Sequence, residues 1–138
     1  MFLLDTNVLS ELRWPDKANP GLNAWAKSTV PAELFISAIT LFEIELGAVQ
    51  AAWEDAVKGK VLRSWIDTQV MPAFKGRIIA VDAIVAQRCA ALHVPDPRPQ
   101  RDSLIAATAL VHRMTVITRN VRDFEPMGVQ LVNPWLDE

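Results

Sequence analysis

The sequence predicts an α/β domain built on a mostly parallel central sheet of four to five strands, with helices on both faces. Short apolar runs alternate with longer helical segments along the chain, which is typical of a parallel sheet whose strands are joined by helices. The chain has 138 residues and is 51% hydrophobic, which is enough for one sizeable core. We therefore predict a single domain over residues 1–138.

The strand candidates are short apolar runs that end on a polar residue or lie next to a turn. They are FLLD (2–5), LFIS (34–37), IIAV (78–81) and TVIT (115–118), with VQLV (129–132) as a weaker fifth. Asp5, at the end of the first run, stands out because aspartate is a poor strand residue and is costly to bury. It either caps the helix that follows or carries a negative charge that the chemistry of the protein needs.

Helices are predicted between these strands from their start and stop signals. Asn19 followed by Pro20 supplies an N-cap and a first helical residue, and Ser37 and Asp82 are placed to cap the helices that follow their strands. The segment 94–101, VPDPRPQR, holds three prolines in eight residues and predicts a loop. The segment DSLIAATALVHRM (102–114) then predicts a helix, because alanine and leucine fill its interior.

The longest predicted helical region is a hairpin around residues 38–72. Its first arm is apolar around most of its circumference, which is typical of a helix buried on several sides. Its second arm carries apolar side chains four residues apart, at Trp53, Val57, Val61 and Trp65. This stripe either packs on the neighbouring helix of the same chain or faces a partner peptide.

Composition excludes several classes of protein. The formal net charge is -2, so the chain as a whole is not a basic nucleic-acid binder, although residues 97–122 hold five arginines and one acid. Cys89 is the only cysteine, so neither an intrachain disulfide nor a zinc cluster can form. Neither a leader segment nor an apolar run of membrane-spanning length is visible, so we expect a cytoplasmic protein that does not associate with membranes.

Acidic and amide side chains occur where a parallel sheet gathers its functional groups, beyond the carboxyl ends of the strands. Asp5 follows the first strand, and Asn120 and Asp123 follow the fourth. Asp102 begins the helix that leads into the fourth strand, and Glu43 lies in the middle of an apolar helix. Each has a structural alternative: a helix cap for Asp5 and Asp102, an arginine partner for Glu43, and a solvated loop for Asp123.

If these carboxylates converge, they require a cation. Two carboxylates about 4 Å apart repel each other by about 4 kcal/mol at an effective dielectric constant near 20. Oxygen ligands without histidine or cysteine suit Mg²⁺ or Mn²⁺. Such a cation would activate a phosphodiester for hydrolysis, and nearby arginines would hold neighbouring phosphates. The arginines placed for this are Arg98, Arg101, Arg119 and Arg122.

Four motifs, in this order and at these spacings, resemble the PIN-domain ribonucleases. They are LLDTNVLSEL, SAITLFEIELGA, RDSLIAATA and VITRNVRDFE, and the ending VNPW adds a likeness to the FitB-like branch. More narrowly, the chain resembles the VapC-type toxins of VapBC toxin–antitoxin systems. The resemblance implies a three-layer sandwich and a metal-dependent endoribonuclease, the toxin of a type II system. It also implies a homodimer that a cognate VapB-type antitoxin neutralises.

The resemblance also assigns roles to residues. Asp5, Glu43 and Asp102 match the acidic triad that holds the metal, and Asn120 falls on a fourth catalytic position where many relatives have aspartate. Asp123 is an alternative for that position and ranks below Asn120. Two threonines are expected to orient the site from behind the metal ligands: Thr6 and Thr118. Arg98, Arg101, Arg119 and Arg122 are candidates for contact with RNA or the antitoxin.

Three other readings compete with a nuclease. A receiver-like Mg²⁺-binding domain would need a late lysine near the pocket, but the last lysine is Lys75. A dehalogenase-type phosphatase would need a second aspartate at Asn7. A PIN-like domain that has lost catalysis and only binds a partner stays open because Asn120 is uncharged. His93 and His112 fall near predicted helix ends, where we expect a dipole interaction rather than catalysis.

Overall fold

The computed structural model describes residues 1–135 and contains a five-stranded sheet in which every pairing is parallel. The strands are β1 (Phe2–Leu4), β2 (Leu34–Ser37), β3 (Ile78–Ile79), β4 (Thr115–Ile117) and β5 (Leu131–Val132). Their order is β3-β2-β1-β4-β5, so the first strand lies at the centre. The predicted fold class is confirmed. The single-domain prediction over 1–138 includes residues 136–138, which lie outside the described part of the chain.

Helices connect the strands, and several begin where the sequence places their caps. They are α1 (Thr6–Leu12), α2 (Pro20–Ser28), α3 (Ala38–Glu54), α4 (Ala56–Trp65), α5 (Met71–Ala73), α6 (Ala83–Leu92), α7 (Gln100–His112) and α8 (Val121–Phe124). Asn19 accepts from the backbone N–H groups of Gly21 and Leu22. Ser37 and Asp82 likewise accept N–H bonds at the starts of α3 and α6. Within residues 1–135, none of these helices is long and apolar enough to cross a bilayer.

Helices cover both faces of the sheet. Neighbouring residues of β1 point to opposite faces, so each face supplies apolar side chains for helices to cover. Leu4 is buried with Val8 of α1 and Leu22 of α2 on one face. Leu3 is buried with Ile105 of α7 on the other face. This alternation gives the predicted three-layer arrangement. Because β1 and β4 are parallel neighbours, their carboxyl ends lie side by side at one edge of the sheet.

The predicted hairpin around 38–72 is present as α3, α4 and a π-helical turn (Ile66–Val70) that leads into α5. The two long helices cross where Gly59 lies against Ala52, and a Cβ atom on Gly59 would come within 2.4 Å of the Cβ of Ala52. The side chains of the predicted apolar stripe differ in their exposure. Trp65 packs against the core, whereas Trp53 is 92% exposed and Val57 is 71% exposed.

Helix α7 begins two residues earlier than the sequence predicts. Pro99 occupies its N-cap position without any side-chain cap, so the helix starts at Gln100 and the predicted loop is shorter. Proline is tolerated at a helix start because the N–H that it lacks would have no partner inside the helix. Asp102 consequently lies in the first turn and is not a cap, which leaves its carboxylate available at the edge of the sheet.

Candidate active site

Asp5 is fixed at the carboxyl end of β1 by donors from the start of α1 and from Thr118, which follows β4. Its side chain is buried, with 5% of the residue exposed. The backbone N–H of Thr6 donates to Oδ1 at 2.8 Å, so the expected helix cap exists. The hydroxyl of Thr118 at the end of β4 donates to Oδ2 at 2.8 Å, and the amide of Asn7 donates to Oδ2 at 3.0 Å. Asp5 therefore caps α1 and also faces the end of β4.

The environment of Asp5 does not favour its ionised form. Burial is the largest cause and raises the pKa of Asp5 above its ordinary value, and the negative charge of Glu43 raises it further. The hydrogen bonds from Thr118, Thr6 and Asn7 act in the opposite direction. Ionised Asp5 thus has donors for both oxygens, but these donors do not outweigh the cost of burying its charge.

Glu43 reaches the site from the middle of α3. The hydroxyl of Thr6 donates to its Oε1 at 2.7 Å, so Thr6 contacts both acids, Asp5 through its backbone and Glu43 through its side chain. The alternative of an arginine partner is also realised, because Nη1 of Arg101 lies 3.7 Å from Oε2 of Glu43. Half of the Arg101 side chain is exposed, so this ion pair is weak and leaves the carboxylate accessible.

Asp102 brings the third acid from the first turn of α7. Partial burial raises the pKa of Asp102 to about 6, and the negative charges of Asp5, Asp123 and Glu43 contribute to that rise. Asp102 on α7 therefore lies within electrostatic reach of three acids: Asp5, which follows β1, Glu43 on α3 and Asp123 on α8. A carboxyl group that titrates near neutrality at the edge of a parallel sheet is a strong candidate for a functional residue.

The segment after β4 adds an amide, an acid and two arginines. A polar cleft there is lined by Arg119, Asn120, Arg122 and Asp123, together with Asn133. The backbone N–H of Asn120 donates to Thr118 Oγ1 at 3.0 Å, and its side chain lies at the exposed edge. Asp123, although ranked below Asn120 from the sequence, is the residue of this segment whose charge reaches Asp102.

The four predicted arginines are not equivalent. Arg101 lies beside Glu43 and over the ring of Phe42, with its guanidinium carbon 5.0 Å from the ring centroid. Arg119 and Arg122 line the cleft after β4. Arg98 has a different partner: its Nε donates to the carbonyl of Leu92 at the end of α6.

Asn7 has a role at the site that the sequence reasoning missed. Its amide nitrogen donates to Oδ2 of Asp5 and also lies 3.3 Å from the hydroxyl of Thr118. Its carbonyl oxygen accepts from the backbone N–H of Arg119 at 3.3 Å. Asn7 therefore ties the ends of β1 and β4 together. Its position in the first turn of α1, two residues after Asp5, was the available signal.

Comparisons with known proteins agree with this geometry. A family model described as the PIN domain matches residues 2–128 of the chain. This chain belongs to the PIN-domain family. Toxin FitB of Neisseria gonorrhoeae is 38% identical over 99% of this chain and its own full length. VapC ribonuclease Y4jK of Sinorhizobium fredii is 32% identical over 98% of both chains. The predicted resemblance to the VapC and FitB proteins is thus confirmed.

Solved structures of relatives share the fold along almost the whole chain. The crystal structure of FitAcB from Neisseria gonorrhoeae superposes with a TM-score of 0.89 at 35% identity, covering 99% of both chains. A toxin–antitoxin complex from Klebsiella pneumoniae superposes with a TM-score of 0.69 at 28% identity, covering 98% of both chains. Receiver-like and dehalogenase-like folds are thereby excluded for this PIN domain.

PIN-domain nucleases generally depend on a divalent metal, and the donor set of this chain suits one. The acids offer oxygen only, and the raised pKa values of Asp5 and Asp102 are what a bound cation would relieve. Within residues 1–135, however, no three His, Cys, Asp or Glu side chains are close enough to form a complete metal centre by themselves.

Proposed function

We propose that this PIN domain, spanning residues 1–138, is a Mg²⁺-dependent endoribonuclease that acts in the cytoplasm as the toxin of a type II toxin–antitoxin pair. The observation that carries this proposal is the grouping of acids at the carboxyl edge of the sheet: Thr6 joins Asp5 to Glu43, and burial together with the charges of Asp5, Asp123 and Glu43 raises the pKa of Asp102 to about 6. The accompanying arginines supply the positive charge that an RNA backbone requires.

Asp5 and Asp102 are the proposed direct metal ligands, and Glu43 binds the metal or one of its waters. When bound, the cation supplies Lewis acidity toward the phosphodiester and balances the charge of the acids. Mn²⁺ is expected to substitute, because it shares the preference of Mg²⁺ for oxygen ligands. Asn120 and Asp123 are the candidates for the fourth catalytic position, and the charge of Asp123 acting on Asp102 favours Asp123.

The remaining residues position these acids and the substrate. Thr6 fixes Glu43 relative to Asp5, since it donates to both of their carboxylates. Thr118 fixes Asp5 from the end of β4. Glu43 is the proposed acceptor of the proton from the attacking water, because it is the most accessible of the acids held in place by Thr6. The arginines proposed to contact RNA phosphates or the antitoxin are Arg98, Arg101, Arg119 and Arg122.

A cognate VapB-type antitoxin is the proposed partner, and a homodimer is the proposed assembly. Support comes from the likeness to Toxin FitB and to the chain of a toxin–antitoxin complex. Exposed apolar side chains on the hairpin, Trp53 and Val57 among them, give this chain surface to bury against a protein.

The proposal is tested with purified protein and total RNA. We expect cleavage in Mg²⁺, no cleavage in excess EDTA, and no cleavage by Asp5→Asn or Asp102→Asn. Asp96→Asn, at an exposed loop position, is the matched control and should cleave like the wild type. Mapping of the product ends gives the cleavage sites.

Cleavage that persists in EDTA, or full activity of either site variant, would contradict the proposed mechanism. A wild-type chain that cleaves no RNA but binds a partner would favour a PIN domain that has lost catalysis. Expression of the chain alone should arrest growth, and co-expression of its antitoxin should relieve that arrest.

A further inference from the structure

A partly buried polar network connects the end of α6 to the start of α7. Nε2 of His93 lies 2.9 Å from Oγ of Ser103, and Sγ of Cys89 lies 3.4 Å from the same oxygen. Ser103 is completely buried, and its hydroxyl donates to the carbonyl of Gln100 at 2.8 Å. The backbone N–H of Arg98 donates to Nδ1 of His93 at 3.3 Å.

These contacts select one tautomer of a neutral His93 ring. Nδ1 accepts from Arg98, so it carries no proton, and a neutral imidazole must then carry its proton on Nε2. The single hydroxyl proton of Ser103 is already donated to Gln100, so its oxygen accepts from Nε2–H. One chain of donors thus runs from Arg98 through His93 and Ser103 to Gln100.

Two residues of the proposed active site lie between residues that this chain of hydrogen bonds joins. Arg101 and Asp102 lie between Gln100 and Ser103, in the first turn of α7. That turn has no side-chain cap, because its N-cap is Pro99. The segment before it contains prolines at 95, 97 and 99, which have no backbone N–H to hold it in place. The side-chain bonds of His93 and Ser103 therefore add to the core packing of Ile105 and Ala106 in fixing where α7 begins.

We propose that His93 is a positioning residue that sets the start of α7, and with it Asp102 and Arg101, relative to Asp5 and Glu43. This inference rests on the proposed nuclease function. His93 acts on the helix start through Ser103, while the backbone N–H of Arg98 orients the His93 ring for that contact. Catalytic groups displaced by about 1 Å can lose roughly a hundredfold in rate, so a link at this helix start matters to the chemistry.

Two substitutions separate the two arms of the link. His93→Gln keeps an N–H donor near Nε2 and so retains the bond to Ser103, but it loses the acceptor for Arg98. His93→Asn keeps an acceptor near Nδ1 for Arg98 but is too short to reach Ser103. His112→Gln is the matched control, because His112 is exposed at the other end of α7.

With a single-stranded RNA oligonucleotide and Mg²⁺, we expect His93→Gln to keep kcat within about threefold of the wild type. We expect His93→Asn to lower kcat by about tenfold or more while KM changes by less than about threefold, because the RNA-binding surface is intact. Mn²⁺, as a probe of the metal ligands, should bind His93→Asn several-fold more weakly. A purely structural role would lower Tm in both variants and leave kcat per folded molecule unchanged.

Hydrogen exchange and nitrogen NMR test the link between His93 and Ser103 without a cleavage assay. A long-range ¹H–¹⁵N spectrum of the wild type should show His93 as the Nε2–H tautomer, and finding the Nδ1–H tautomer or a charged ring near neutral pH would overturn the inference. Exchange of the Ser103 amide should accelerate about tenfold or more in His93→Asn and much less in His93→Gln. Equal exchange and equal kcat in both variants would also overturn it. A wild type that cleaves no RNA would refute the nuclease function, whereas the NMR and exchange results would still decide the link.

Discussion

Replacement of Asp102 by asparagine should stabilise the metal-free protein while it abolishes cleavage. In the folded protein the pKa of Asp102 is raised from 3.8 to about 6, mainly by burial and then by the charges of Asp5, Asp123 and Glu43. A shift of this size corresponds to about 3 kcal/mol at neutral pH. Since Asp102 is partly exposed, solvent screening reduces the expected gain to about 1–2 kcal/mol, or roughly 3–8 °C in Tm.

The pH dependence of this effect has a definite sign. The folded state binds the Asp102 proton more tightly than the unfolded state does, so its contribution to stability is complete below about pH 4 and is lost as pH rises through about 6. The wild type should therefore match Asp102→Asn near pH 4 and fall behind it above pH 6. Thermal unfolding in EDTA across this range measures the difference.

Metal should reverse the order of stability. A Mg²⁺ concentration about a hundredfold above its Kd would stabilise the wild type by about 2.7 kcal/mol, which exceeds the advantage of Asp102→Asn in EDTA, and would leave Asp102→Asn almost unchanged. Asp96→Asn is the control and should follow the wild type in every condition. The reasoning is refuted if Asp102→Asn and the wild type unfold together in EDTA at neutral pH, or if the difference between them does not depend on pH.

Three further predictions concern individual contacts. Gly59→Ala should lower the free energy of unfolding by about 1–3 kcal/mol in denaturant titrations, because its Cβ would overlap Ala52. Gly47→Ala, at the other glycine of this hairpin, meets no atom within 4 Å and should raise that free energy by about 0.5–1 kcal/mol; equal effects of the two changes would contradict the packing argument. Thr118→Val removes a hydroxyl that donates to Asp5 and should lower kcat about 10- to 100-fold in the RNA assay, and unchanged kcat would remove Thr118 from the site.

Local signals in the sequence were sufficient for the fold class. Alternating strands and helices, together with the caps at Asn19, Ser37 and Asp82, depend on short-range rules, and the structure has them where they were predicted. Family membership also followed from the sequence, since four motifs in order are specific even though each is short. The start of α7 was misplaced by two residues because Pro99, and not Asp102, occupies the cap position.

Tertiary structure alone decided how the acids interact and what supports them. The sequence marks Asp5, Glu43 and Asp102 as unusual, but only folding buries part of Asp102 and brings the other charges near it, which together raise the pKa of Asp102. The bridge through Asn7 and the link from His93 to Ser103 join residues whose partners are set by the approach of separate elements. Such contacts depend on distances across the fold, and a linear pattern of residue types does not contain those distances.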